Sequence, residues 1–188
     1  MGRLMRLSLT LAVAGTLALA PAGALAGSAA QTFLLVAEAP NVGVAANGET
    51  IEITCTGGEV EHVCGSFAVH PKSIEASGEF AHFLADGSLF ASGTWTATEL
   101  ISYQSYGCGE VLGDPLPPEA CGGKLKFAAT FSTPIGELDG IITVFCIVGP
   151  KAPASHDQPS GEGVTVVVPG IINFNHTGGG ENIYIQTS

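Results

Sequence analysis

The chain has 188 residues, 46% of them hydrophobic and 12% charged, with 17 acids against six Lys and Arg. A chain of this length builds one domain with its own core, so neither a metal nor a partner is needed for folding. The formal charge of −11 argues against nucleic acid and anionic membrane surfaces, both of which are met with Lys and Arg.

Residues 1–26 read as a removable export signal. Arg3 and Arg6 form a short basic lead, Leu7 to Ala20 is apolar, and Pro21 ends any helix. Ala24-Leu25-Ala26 then places small residues where a signal peptidase reads, making Gly27 the first mature residue. The apolar run falls short of the roughly 20 residues that span a bilayer, and no basic stop-transfer cluster follows. No membrane insertion is therefore expected, and residues 27–188 are read as a single domain, secreted or periplasmic. Losing the signal removes both arginines and leaves Lys72, Lys124, Lys126 and Lys151 against 17 acids, a net charge of −13. That acidity suits the solubility of an exported, otherwise apolar chain.

Phe33 to Ala37 opens the mature chain as a short strand. Pro40 and the turn-forming Asn41 to Gly48 let it fold back into its own sheet, which predicts a monomer. The alternative is donation of this strand to a neighbour, giving an extracellular filament or surface-layer-like subunit. Ile51, Ile53 and Cys55 alternate with Thr50, Glu52 and Thr54, as a half-buried strand requires. Cys55 and Cys64 flank Thr56-Gly57-Gly58-Glu59 and are expected to form a disulfide, with Val63 to Val69 as the next strand.

Gly78 to Leu84 and Leu89 to Tyr103 follow, and Asp86-Gly87 between them is the strongest hairpin signal in the chain. Thr94, Thr96 and Thr98 form a row on the wet face of the second strand. By parity Trp95, Ile101 and Tyr103 share the core face and Tyr106 lies opposite. Cys108 and Cys121 bracket Gly109 to Ala120, which holds three prolines and no strand pattern. A disulfide closing such a loop stabilises by about 3 kcal/mol in the chain-entropy account.

Leu125, Phe127, Ala129 and Phe131 again alternate with smaller or polar residues, and Pro134-Ile135-Gly136 with Asp139-Gly140 marks a second hairpin. It leads into Ile141 to Val148, apolar at nearly every position as in a central strand, with Cys146 as a buried thiol. The odd cysteine count also allows Cys146 to pair with Cys55 or Cys64. Gly149 to Gly163 is a loop of unusual length, and Val164 to Val168, Ile171 to Phe174 and Ile183 to Ile185 complete the strands. Some eight to ten short strands with no helical periodicity predict an all-β, antiparallel sandwich or jelly-roll-like domain.

No assembled catalytic set is visible. Ser155-His156-Asp157 has the residue types of a hydrolase triad, but adjacent side chains diverge and cannot line up. Glu137-Leu138-Asp139 resembles the start of the E-x-D-x-x-E strand of jelly-roll glucanases over three residues only. Ile141 and Ile142 stand where the third acid belongs, which excludes that chemistry. His62, His70, His82, His156 and His176 are scattered without metal-ligand spacing, and the mature chain has no methionine to complete a blue-copper site after Cys146. Glu110, Asp114 and Glu119 lack the regular spacing of a calcium loop, so neither metal nor cofactor is expected. Asn175-His176-Thr177 is a glycosylation sequon.

These observations predict a non-catalytic extracellular module that meets a glycan, peptide or cell-surface partner through its loops. The enzyme alternative is a small secreted hydrolase using dispersed residues such as Glu99, His82 or His156.

Overall fold

The computed structural model describes residues 30–38, 40–55, 62–153 and 161–188. The export segment 1–26, the turn Thr56 to Glu59 and Ser155-His156-Asp157 lie outside the described residues. The strands are β1 (Thr32–Ala37), β2 (Asn41–Val44), β3 (Thr50–Cys55), β4 (Val63–Ala68), β5 (Ser73–Phe83), β6 (Leu89–Cys108) and β7 (Glu110–Val111). They continue as β8 (Asp114–Pro115), β9 (Ala120–Thr133), β10 (Gly136–Cys146), β11 (Gly163–Val168), β12 (Ile172–Phe174), β13 (His176–Gly179) and β14 (Asn182–Gln186). Every pairing is antiparallel, and there is no helix among the described residues.

The all-β antiparallel class is as expected, but the strands do not separate into two packed sheets. Hydrogen-bonded pairing runs β9, β14, β1, β4, β5, β6 and back to β9, a closed ring of six strands. Two arms leave this ring: β10, β11 and β12 extend from β9, while β3, β2 and β13 extend from β5. The arms meet where β11 packs against β2 and β13. Long strands make this possible: β5 pairs with β4 through Ser73 to Ala76 and with β3 through Gly78 to Phe83, and β9 carries β6 on one edge and β14 followed by β10 on the other. β3 and β4 follow each other along one side of β5, with Cys55 opposite Gly78 and Gly65 opposite Ala76. The Cys55–Cys64 disulfide ties that junction.

The ring encloses one aromatic cluster in which Phe67 lies 5.0 Å from Phe33 and from Tyr103, and 5.6 Å from Tyr184. Trp95 and Phe127 continue the core at 5.8 Å. Alternation in β9 works as the sequence implies, with Leu125, Phe127, Ala129 and Phe131 buried. β10 lies between β9 and β11, a central position that accounts for its nearly continuous apolar run.

Four local expectations need correction. Strict parity fails in β6: the residues turned inward are Trp95, Leu100, Tyr103 and Tyr106, and Ile101 is only half-buried. Irregularities in the β6–β9 register at Ala97/Glu99, Leu100/Ser102 and Ser105/Gly107 are the cause. Each inserts an extra residue that flips the inward face and coils the strand around the ring. Asn41–Val44 is a strand and not part of a turn; the turn proper is the segment after it, where Gly48 N–H donates to the Ala45 carbonyl at 3.0 Å. The segment between Cys108 and Cys121 carries the β7–β8 ribbon, and the glycine-rich β13 pairs with β2. Glu137-Leu138-Asp139 lies within β10, the β9–β10 connection being Pro134-Ile135 alone.

β1 sits between β14 and β4 of its own chain, so both of its edges are occupied.

Candidate binding site

Four turns gather at the end of the molecule away from the aromatic ring interior. They are the β2–β3 turn at 45–49, the β5–β6 turn at 84–88, the β9–β10 turn Pro134-Ile135 and the β11–β12 turn Pro169-Gly170-Ile171. Register brings them together: Thr50 faces Phe83, Thr94 faces Ser132, and Ile141 faces Val167. The β5–β6 turn is fixed by its own chemistry. Gly87 adopts φ of 82°, and Asp86 accepts from both the Ser88 hydroxyl, at 2.6 Å, and its amide, at 2.9 Å. The Ser88 hydroxyl bond, reinforced by that amide, lowers the Asp86 pKa.

Turns are ordinarily polar, yet two of these turns and the strand ends beside them carry large apolar side chains into solvent. Leu89, Phe90, Ile135, Leu138 and Ile171 are 59%, 64%, 98%, 41% and 63% exposed. The only other exposed large hydrophobic side chain among the described residues is Leu112, in the β7–β8 ribbon. Leu89, Phe90, Ile135 and Leu138 line an open groove of about 500 Å³, with Glu137 as its charged side chain. Phe90, Leu138 and Ile171 also line an inner apolar cavity of about 90 Å³, whose walls include Phe80, Phe131 and Phe174. Groove and cavity share Phe90, Ala91, Thr133 and Leu138, so they adjoin.

His82 is the polar side chain of the cavity wall most deeply set in it. Its ring lies 4.9 Å from Phe90 and 5.0 Å from Phe174, and Nε2 is 2.7 Å from Glu49 Oε2. Asn47 Nδ2 holds the other Glu49 oxygen at 2.8 Å. A carboxylate fixed by an amide and an imidazole orients the histidine, and leaves the cavity-facing surface of the ring apolar in character.

A second polar cluster lies deeper in the fold. Asn41 and Asn182 exchange side-chain hydrogen bonds of 2.9 and 2.6 Å. The Cys146 thiol donates to the Asn182 carbonyl at 2.9 Å, and Glu162 accepts from the Ile147 and Asn182 amides at 2.8 and 3.2 Å. Burial, and then the Glu162 carboxylate, push the Cys146 thiol up to about 12, while burial raises Glu162. A thiol held protonated at neutral pH is a structural group and not a nucleophile. The native state therefore binds this proton more tightly than the unfolded chain does. The resulting stabilisation is full below the unfolded thiol pKa near 9 and is lost as pH rises through about 12. Cys146 is accordingly expected to react with an aromatic disulfide reagent at pH 8 about a thousandfold more slowly in the native protein than in guanidinium, the ratio of the two thiolate fractions. Equal rates in the two states would contradict this burial.

Cys108–Cys121 forms the second disulfide and leaves Cys146 as the free cysteine, buried. Thr94 and Thr96 stand exposed in rows with Glu79 and Ser132 and with Ser77 and Thr130, the wet face of the sheet. The dispersed hydrolase residues do not assemble. His82 pairs with Ala91, Glu99 lies roughly 25 Å further along β6 at about 3.3 Å per residue, and His156 is outside the described residues. Among the described residues no group of three or more His, Cys, Asp or Glu could hold a metal ion.

The apolar mouth was missed because Leu89, Phe90 and Ile171 read as ordinary strand members and Ile135 as filler in a turn. The available signal was their position directly after or between turn residues: Asp86-Gly87-Ser88, Pro134 and Gly136, Pro169-Gly170. Compared with known proteins, the chain matches no protein-family model, no curated protein and no solved structure.

Proposed function

We propose that this chain is a non-catalytic extracellular module that binds an apolar ligand at its turn-bearing end. The observation that carries the reading is the gathering of five exposed apolar side chains around a groove that adjoins an apolar cavity. Exposed apolar surface is costly to maintain and marks interaction sites when it is contiguous. A groove of this size lies within the range of small-molecule sites. Two disulfides suit an oxidising compartment, in line with secretion or a periplasmic location. The protein acts as a monomer in this reading. Strand addition finds no support in a β1 already paired on both edges.

Titration with a neutral naphthylamine dye tests the proposal. Saturable one-to-one binding is expected, weakened at least tenfold by Leu138→Lys at the half-exposed rim and unchanged by Thr96→Lys on the polar sheet face. Absence of saturable binding, or equal effects of the two substitutions, would overturn it.

A further inference from the structure

Resting on that reading, we infer that the ligand is an ammonium-bearing amphiphile, its apolar chain directed into the cavity and its cationic head held at Glu137. The charges around the mouth carry the argument. Glu137 is exposed and lines the groove, and its Oε1 accepts from the Ser132 hydroxyl at 3.3 Å. In register with it across the sheet are Ser132, Thr94 and Glu79, and Asp139 follows two residues along β10 on the same face. Ser92 belongs to both the groove and the adjoining acidic face lined by Glu52 and Glu79. The surface leading from the mouth is thus carboxylate and hydroxyl.

The described lysines all lie elsewhere. Lys72 Nζ donates to the Ile101 carbonyl at 2.7 Å, Lys126 and Lys124 stand opposite Ser102 and Gln104, and the Lys151 amide bonds the Tyr106 carbonyl at 2.9 Å. All four attach to the second half of β6, whereas the mouth is built on its first residues. A fatty-acid carboxylate or a phosphate head would find no lysine or arginine among the described residues of the groove and would face Glu137. An ammonium head finds a carboxylate, a hydroxyl and the exposed face of Phe90, which attracts cations through its ring quadrupole. The inner cavity of about 90 Å³ holds only a short stretch of chain, so the remainder lies in the groove between Leu89, Ile135 and Leu138.

Three twelve-carbon chains below their micelle concentrations serve as test ligands by calorimetry: dodecyltrimethylammonium, dodecyl maltoside and dodecyl sulfate. The cationic chain is expected to bind at least tenfold more tightly than the neutral one, with the anionic chain weakest. Glu137→Gln should erase the preference for the cation, weakening the cationic chain at least tenfold more than the neutral one, and raising salt should weaken the cationic complex more than the neutral one. Equal affinity for cationic and neutral chains, or a cation preference that survives Glu137→Gln, would overturn the inference while the apolar site stands. Failure of every chain to bind would overturn both.

Discussion

Trp95→Ala is expected to destabilise the protein by about 3–5 kcal/mol, the cost of emptying a large aromatic site that its surroundings cannot refill. Trp95 is 1% exposed, sits at the junction between the ring and the arms, and packs on Phe127. Its indole N–H donates to the Thr54 carbonyl at 3.1 Å, so truncation also removes the partner of a partly buried backbone group. The indole has room because Gly78 is its register partner in β5. A Cβ on Gly78 would overlap the Thr54 carbonyl and come within 2.6 Å of Trp95 Nε1. Gly78→Ala is therefore expected to be damaging through overpacking where Trp95→Ala is damaging through a cavity. Urea denaturation followed by circular dichroism measures both. Against a total stability of about 5–15 kcal/mol for a domain, either variant should lose a large part of its folded range. A midpoint within experimental scatter of the wild type in either case would contradict the packing described.

The second large effect is expected at the Cys108–Cys121 disulfide. Replacing both residues with serine removes about 3 kcal/mol of loop-closure stabilisation. It also places a hydroxyl at position 121, which is completely buried. The bridge joins the last β6–β9 register pair, and the loop it closes supports β14, since the Gln186 amide donates to the Glu119 carbonyl at 2.9 Å. Loss of the disulfide should therefore loosen β14 first, seen as faster amide exchange at Tyr184 and Gln186 than at Phe127. The corresponding Cys55 and Cys64 double variant should lose less, because both cysteines are only half-buried and their junction lies at the edge of the ring. A larger loss from the Cys55 and Cys64 variant would contradict this ranking.

The strands with clean alternation were legible in the sequence because each packs one face. Leu125 to Phe131 and Ile51 to Ile53 show this directly. The ring was not legible, since closure depends on which strand edges meet, and period-two patterning is silent about edges. β6 was misread at its far end for a related reason. Parity counting assumes an unbroken pleat, and three residues have no register partner in β9: Thr98, Ile101 and Tyr106 itself, which turns inward. β2 was hidden because Asn41 and Gly43 occupy its inward positions. The buried amide is answered by Asn182, 141 residues later. The Cys108–Cys121 disulfide was legible from its bracketing of a proline-rich segment, whereas bracketing favoured Cys55–Cys64 but left Cys146 as a rival partner, a choice settled only by the position of Cys146 in the core. The mouth required the three-dimensional end of the molecule, since its residues come from three separate turns.

Chemical-shift mapping of the isotope-labelled protein during titration with a neutral twelve-carbon chain tests the central claim most directly. The account predicts saturable changes at Leu89, Phe90, Ile135, Leu138 and Ile171 and at the cavity wall residues Phe131 and Phe174, with Lys124, Lys126 and the Thr96 row unmoved. Changes centred on the threonine row or the lysine-bearing half of β6, with the turn residues silent, would contradict it.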